Sequence, residues 1–244
     1  MCLTISSFTI LRFTERGAAG TEMLMRSLGT KGEQRGHRAS GFSLIEMVSV
    51  LAIIIILATI SVISLIPALK QQRVTNAYNT TLSAIRLARD NAVSQRTSYS
   101  VTFSTATTPN TITVAPTFAG FQGAQTTQIY QLPNDVSFDA EPSLASTPPP
   151  DSYGTGLLAI DFGYTANGGT GGVRTIYFCP DGSSQDAEGG GGNCLGSWDG
   201  GVVYIARPGD LMSSRAITLW GGTGRIRGWR IYSNGVGGYR WQRQ

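Results

Sequence analysis

Glu46 is the only charged residue among the twenty-five from Phe42 to Ile66. A charged side chain in a membrane helix costs about 2.5–3.5 kcal/mol at the helix centre, so it marks a partner or a function. The run itself holds no base that could pair with this carboxylate. If the chain were cut between Gly41 and Phe42, each copy would gain a free α-ammonium four residues before its own glutamate. That amine can neutralise the Glu46 carboxylate of a neighbouring copy. The chemistry this spacing predicts is charge pairing between chains in an apolar medium, with no bond made or broken by the chain itself.

The remaining reactive side chains narrow the function further. The only histidine, His37, precedes the cut, and Lys70 is the only lysine after it. A Ser-His-Asp triad, a His-ligated metal and a lysine-bearing phosphate loop are therefore excluded for the cut chain. A carboxylate-only hydrolase needs two facing acids, and no pair of acids is placed for that work. Asp181, Asp186, Glu188 and Asp199 lie around the glycines 189–192. They read as solvated turn residues in preference to calcium ligands. The expectation is no catalysis, no cofactor and no metal.

These groups need elements to position them. A helix over Phe42–Ile66 would be roughly 37 Å long at about 1.5 Å per residue, enough to cross a core of about 30 Å with some tilt. Pro67, Lys70 and Arg73 end the apolar run. Pro67 predicts a bend, or a helix that ends and restarts. Residues 1–41 hold six basic and three acidic side chains, so they carry +3 of the chain's +4, and the rest holds thirteen and twelve. The basicity sits where the positive-inside rule expects it. Met23 and Met25 each begin a shorter, more basic leader, so the start stands open between Met1 and these two. Over 68–97, Val74, Ala77, Tyr78, Leu82, Ile85, Ala88 and Ala92 recur at three- and four-residue spacing, which predicts a second helical stretch with one apolar face.

Gly41-Phe42-Ser43-Leu44-Ile45-Glu46 followed by an apolar helix resembles the signal of type IV prepilins and pseudopilins. The resemblance implies that a prepilin peptidase cuts after Gly41 and methylates Phe42, and that Glu46 sets register between subunits. Two residues depart from that pattern: Ile55 stands where many relatives have glycine, and Pro67 comes a turn later than their proline. The stretch 84–96, Phe178-Cys179-Pro180-Asp181-Gly182-Ser183-Ser184 and Thr223-Gly224-Arg225-Ile226-Arg227 resemble the GspH/FimT family of minor pseudopilins. The implied fold is the α+β type IV pilin fold, with a two-sheet antiparallel β domain over 98–244 after the 1–41 leader, the 42–67 membrane helix and its 68–97 continuation.

From Tyr99 the apolar period falls to two, and turn residues punctuate it. The predicted strands are Tyr99–Phe103, Thr111–Ala115, Gln128–Leu132, Val136–Phe138, Leu157–Phe162, Val173–Phe178, Val202–Ala206, Ala216–Trp220 and Arg225–Tyr232. Four prolines make Glu141–Tyr153 an extended surface loop. Cys179 and Cys194 flank the glycine loop. In an oxidising periplasm they form a disulfide; the alternative is two unpaired thiols.

Six arginines and no acid follow Met212, interleaved with tryptophan and tyrosine. Arg225, Arg227 and Arg230 are the candidate contacts, with alternation placing Arg225 and Arg227 on one face. Contact with other subunits is the first reading. Capture of DNA by phosphate contact and stacking is the second, and the resemblance to FimT-like minor pilins favours it. The resemblance implies a minor pseudopilin of the type II secretion system, at or near the filament tip, in the bacterial inner membrane with its carboxyl-terminal domain in the periplasm. The alternative is a minor pilin of a type IV pilus. Its partners are prepilin peptidase, other minor and major pseudopilins and inner-membrane lipid, with DNA the less favoured addition.

Overall fold

A computed structural model describes residues 41–117, 126–165, 171–186, 194 and 196–244. The leader with Met23 and Met25 lies outside them, as do Glu188 and the glycines 189–192. The layout is α+β: one long apolar helix near the amino terminus, then antiparallel sheets. The chain divides into residues 1–50 and 51–244. In the first part, helix α1 (Leu44–Gln95) begins where the Ser43 carbonyl accepts hydrogen bonds from the Glu46 and Met47 N–H groups at 3.0 and 3.1 Å. Glu46 lies in the first helical turn.

In the second part α1 has two regimes. Its described side chains from Leu51 to Leu69 are exposed, and it is long and apolar enough to cross a membrane. From Val74 the same helix buries Val74, Ala77, Tyr78, Thr81, Ala84, Ile85, Ala88 and Ala92. Four alanines on this stripe let the backbone approach the sheets closely. Thr81 satisfies its buried hydroxyl by donating to the Ala77 carbonyl at 2.8 Å. Leu82, expected in the stripe, is only partly buried, because Thr81 and Ala84 lie closer to its centre. α1 runs through Pro67 without ending. One missing hydrogen bond does not stop a helix whose following turns are fixed by packing. The helix stops at Arg96, whose φ of 52° is left-handed.

Strands β1 (Tyr99–Ser104), β2 (Thr111–Pro116), β3 (Gln128–Gln131), β6 (Thr175–Phe178) and β7 (Ser184–Gln185) form one sheet in the order β3-β2-β1-β6-β7. The second sheet runs β11-β10-β9-β8-β4, made of β4 (Ser137–Phe138), β8 (Asp199–Arg207), β9 (Asp210–Trp220), β10 (Arg225–Ser233) and β11 (Tyr239–Arg243). Strand β5 (Ile160–Thr165) pairs with β8 beside β4, with a bulge between Phe162 and Tyr164. Phe103 of the first sheet meets Phe138 edge-on at 5.5 Å and stacks on Phe162 at 5.6 Å. The sheets and the stripe of α1 thus close one core.

The second sheet is covered on its other face too. Val202, Tyr204, Ala216 and Ile231 bury a smaller cluster with Leu144. Leu144 comes from the proline-rich segment, so the expectation of an extended surface loop is corrected. The segment folds into two short 3-10 turns, Pro142–Ser146 and Pro150–Ser152, that bury Glu141, Leu144, Thr147 and Pro150. Proline there fixes φ at turn starts and leaves no N–H to satisfy. The Glu141 carboxylate accepts the Gly209 N–H at 2.7 Å, tying this cover to the β8–β9 turn.

Candidate functional site

The arginines of β10 are divided by the pleat of the strand. Arg225 pairs in register with Trp220, Arg227 with Thr218 and Arg230 with Arg215. Of the odd positions, Arg227, Trp229 and Ile231 face the proline-rich cover, while even positions Ile226, Gly228 and Arg230 face α1. Arg225, Arg227 and Arg230 therefore do not form one surface.

Arg227 has an acid, supplied from 76 residues upstream. Its Nη1 donates to Asp151 Oδ1 at 2.5 Å, with the two side chains 20% and 7% exposed. Asp151 Oδ2 accepts the Thr218 hydroxyl at 2.6 Å, and that hydroxyl oxygen accepts Trp229 Nε1 at 2.9 Å. The guanidinium also lies 5.9 Å from the Trp220 ring centre. Asp151 and Ser152 have φ of 53° and 62°, a left-handed pair that turns the carboxylate onto this network. The expectation that no acid offsets these arginines is thus corrected for Arg227. The sequence held a signal only in Asp151 itself, the acid directly after Pro148-Pro149-Pro150.

Arg225 is exposed and joins Arg86, Arg89, Asp90 and Thr223 around an open hollow of about 400 Å³. Arg89 holds two turns together: its Nε donates to the Gly182 carbonyl at 3.2 Å and its Nη2 to the Thr223 carbonyl at 3.3 Å. A Cβ at Gly224, where φ is 58°, would collide with the Gly182 carbonyl oxygen. The Pro180-Asp181-Gly182-Ser183 and Thr223-Gly224-Arg225 stretches therefore meet, and their glycines are required by that approach. Asp181 accepts both the N–H and the hydroxyl of Ser183, and these bonds, the hydroxyl first, hold its pKa below the usual carboxylate value.

At the amino-terminal end, Phe42 is 76% exposed, and a Cβ at Gly41 would meet nothing within 4 Å. Glu46 is exposed and has no ion-pair partner among the described residues. Cys179 and Cys194 are joined in a disulfide with their Cα atoms 5.8 Å apart. Near it, Asp199 is 1% exposed and accepts the Asp186 N–H at 3.2 Å through Oδ2, while Oδ1 has no partner. Burial first, and then the Asp186 carboxyl, push its pKa up to about 6. Among the described residues no group of three His, Cys, Asp or Glu side chains could hold a metal. No family model, curated protein or solved structure matches this chain.

Proposed function

We propose that this chain is a non-catalytic minor pseudopilin of a type II secretion filament, with the type IV pilin fold and a periplasmic β domain. One observation carries the reading. An apolar helix begins with a single carboxylate, Glu46, that finds no cation among the described residues. The bond between Gly41 and Phe42, whose hydrolysis would supply that cation in a neighbouring copy, joins two exposed residues. The long helix leading into antiparallel sheets supports the same reading. So does the meeting of the two turn motifs at Arg89, because it brings together the stretches on which the resemblance rests. After cleavage and N-methylation the subunit waits in the inner membrane and then joins a short filament near its tip with other pseudopilins.

The decisive experiment co-expresses the chain with a prepilin peptidase and maps the mature terminus by mass spectrometry. A terminus at methylated Phe42 is expected, and one upstream of Phe42 would end this reading. Glu46→Ala should be cleaved normally yet fail to crosslink to sister pseudopilins. Crosslinking at wild-type level would remove the charge-pairing argument.

A second reading, a type IV pilus minor pilin that captures DNA, keeps one observation in its favour. Arg225 is free of carboxylate partners among the described residues and sits with Arg86 and Arg89 around one hollow. The pairing of Arg227 with Asp151 counts against it, since the charge of that guanidinium is already offset within the fold and most of the side chain is covered.

A further inference from the structure

On the α1 side of the second sheet, the side chains of Lys70, Arg207, Arg215 and Arg230 surround a cavity of about 40 Å³, with Gln71, Val74, Met212, Ser213 and one acid, Asp210. Asp210 is already engaged, 3.6 Å from Arg207. Four cations against one carboxylate leave the lining at +3. Lys70, Arg215 and Arg230 have no carboxylate within 4.0 Å among the described residues.

Arg215 makes this an unfinished site. The residue is 6% exposed, yet of its nitrogens only Nη2 has a hydrogen bond, to the Thr75 hydroxyl at 3.3 Å. Its Nε and Nη1 are buried without partners, and so is Nε of Arg230. A buried guanidinium facing a second one is costly unless an anion answers both. Burial, followed by the charge of Arg230, lowers the Arg215 pKa in keeping with that deficit. A cavity of this size admits a tetrahedral or planar oxyanion group but no large ligand.

The position along α1 tells which anion. The exposed apolar face ends with Ile66 and Leu69, and Lys70 and Gln71 follow at the cavity mouth. At about 1.5 Å per residue, Lys70 lies roughly 6 Å beyond Ile66. The polar headgroup layer is about 5–7 Å thick on each side of the hydrocarbon. With the helix in a bilayer, the mouth of the cavity opens at headgroup depth, where lipid phosphates are concentrated.

We infer that Lys70, Arg215 and Arg230 form a binding site for the phosphate of an anionic phospholipid headgroup. The site rests on the membrane-anchored part of the function proposed above and is independent of filament assembly. Its occupant completes the hydrogen bonding of the Arg215 guanidinium and fixes the β domain against the membrane surface.

The test uses the full chain, reconstituted in nanodiscs of phosphatidylcholine with or without phosphatidylglycerol, then released in mild detergent and weighed by native mass spectrometry. Wild type should retain phosphatidylglycerol over phosphatidylcholine. Lys70→Gln/Arg230→Gln, which leaves the buried Arg215 and its packing unchanged, should lower that retention at least about tenfold. Arg240→Gln, a change at an exposed arginine outside the cavity, should not. Equal retention of the two lipids by wild type, or retention unchanged in the double variant, overturns the site. So does displacement of the lipid by inorganic phosphate at matched ionic strength, which would make it a free-anion site. A crosslink from Lys70 to an acidic residue of a sister subunit that excludes the lipid also overturns it. Failure of the chain to resist alkaline extraction from membranes removes the anchored reading itself, a result separate from insertion without lipid preference.

Discussion

Two arginines three residues apart on one strand meet opposite fates. Arg227 faces the proline-rich cover and is neutralised by Asp151. Arg230 faces α1 and joins Arg215 beside a cavity with no carboxylate to spare. The strand's period of two does the sorting. The lesson is that a basic tail is not one electrostatic object. Its outward guanidinium is engaged in holding the cover on, and its inward pair meets no carboxylate among the described residues.

The largest effect should come from breaking the side whose charge is paired. Asp151→Ala strands Arg227 in a largely buried setting and also frees the Thr218 hydroxyl. A loss of about 3 kcal/mol is expected, since removing one partner of a buried pair leaves an uncompensated charge. Denaturant unfolding of the detergent-solubilised chain would read it. Asp151→Leu/Arg227→Met should lose much less than either single change. If the double variant is instead as unstable as the sum of the singles, the two charges do not act as a pair.

Asp199 extends the comparison to a carboxylate with no cation among the described residues. Its folded pKa is raised to about 6 from 3.8. The fold therefore holds this proton more tightly than the unfolded chain does. The contribution to stability is full below pH 3.8 and is lost as pH rises through about 6. The melting temperature should fall across that window, and Asp199→Asn should flatten the fall. An unchanged slope in Asp199→Asn would assign the pH dependence to other groups.

The unsatisfied side should respond in the opposite sense. In detergent free of anionic lipid, Arg215→Met removes two unpartnered buried nitrogens and keeps most of the apolar stem. A gain of about 1 kcal/mol is expected, the scale of relieving an unpaired buried donor. A loss as large as that of Asp151→Ala would mean that Arg215 is already satisfied within the fold, and the contrast between the faces would vanish.

The sequence showed what repeats and hid what does not. The stripe from Val74 to Ala92 was legible because a helix packed on a sheet must place apolar residues every three or four positions. Strand β1 was legible from alternation over Tyr99–Phe103. Strand β11 was not, because Tyr239-Arg240-Trp241-Gln242-Arg243 carries too little apolar surface and follows the turn glycines Gly235, Gly237 and Gly238. The polar half of β9, Asp210 to Arg215, was missed for the same reason, since it is held by the β8 ladder more than by burial of its own. The cover formed by Glu141–Tyr153 has the sequence of a loop because proline marks the absence of a ladder, and proline says nothing about what the loop packs on. Asp151 and Arg227 stand 76 residues apart, and no local pattern joins them. The inward Arg215 was hidden because arginine on a strand is expected at the surface.

The smallest effect is the sharpest test of the division. Arg225 has the same strand parity as Arg227, but it is exposed at the strand's start beside α1 and lacks an ion-pair partner among the described residues. Arg225→Ala should shift stability by less than about 0.5 kcal/mol, as for a surface change with no buried partner. It should leave the retained lipid unaltered as well, because Arg225 lines the hollow beside Arg86 and Arg89, away from the cavity of Arg215. DNA affinity at about 150 mM salt should be weak in wild type and in Arg225→Ala alike, since the few cations around that hollow sit beside Asp90 and release few counterions. Tight, salt-steep binding abolished by Arg225→Ala would show that the outward face still recruits a polyanion despite the loss of Arg227 to Asp151. The ranking of the secretion reading over the pilus reading would then reverse, while the inward site would stand.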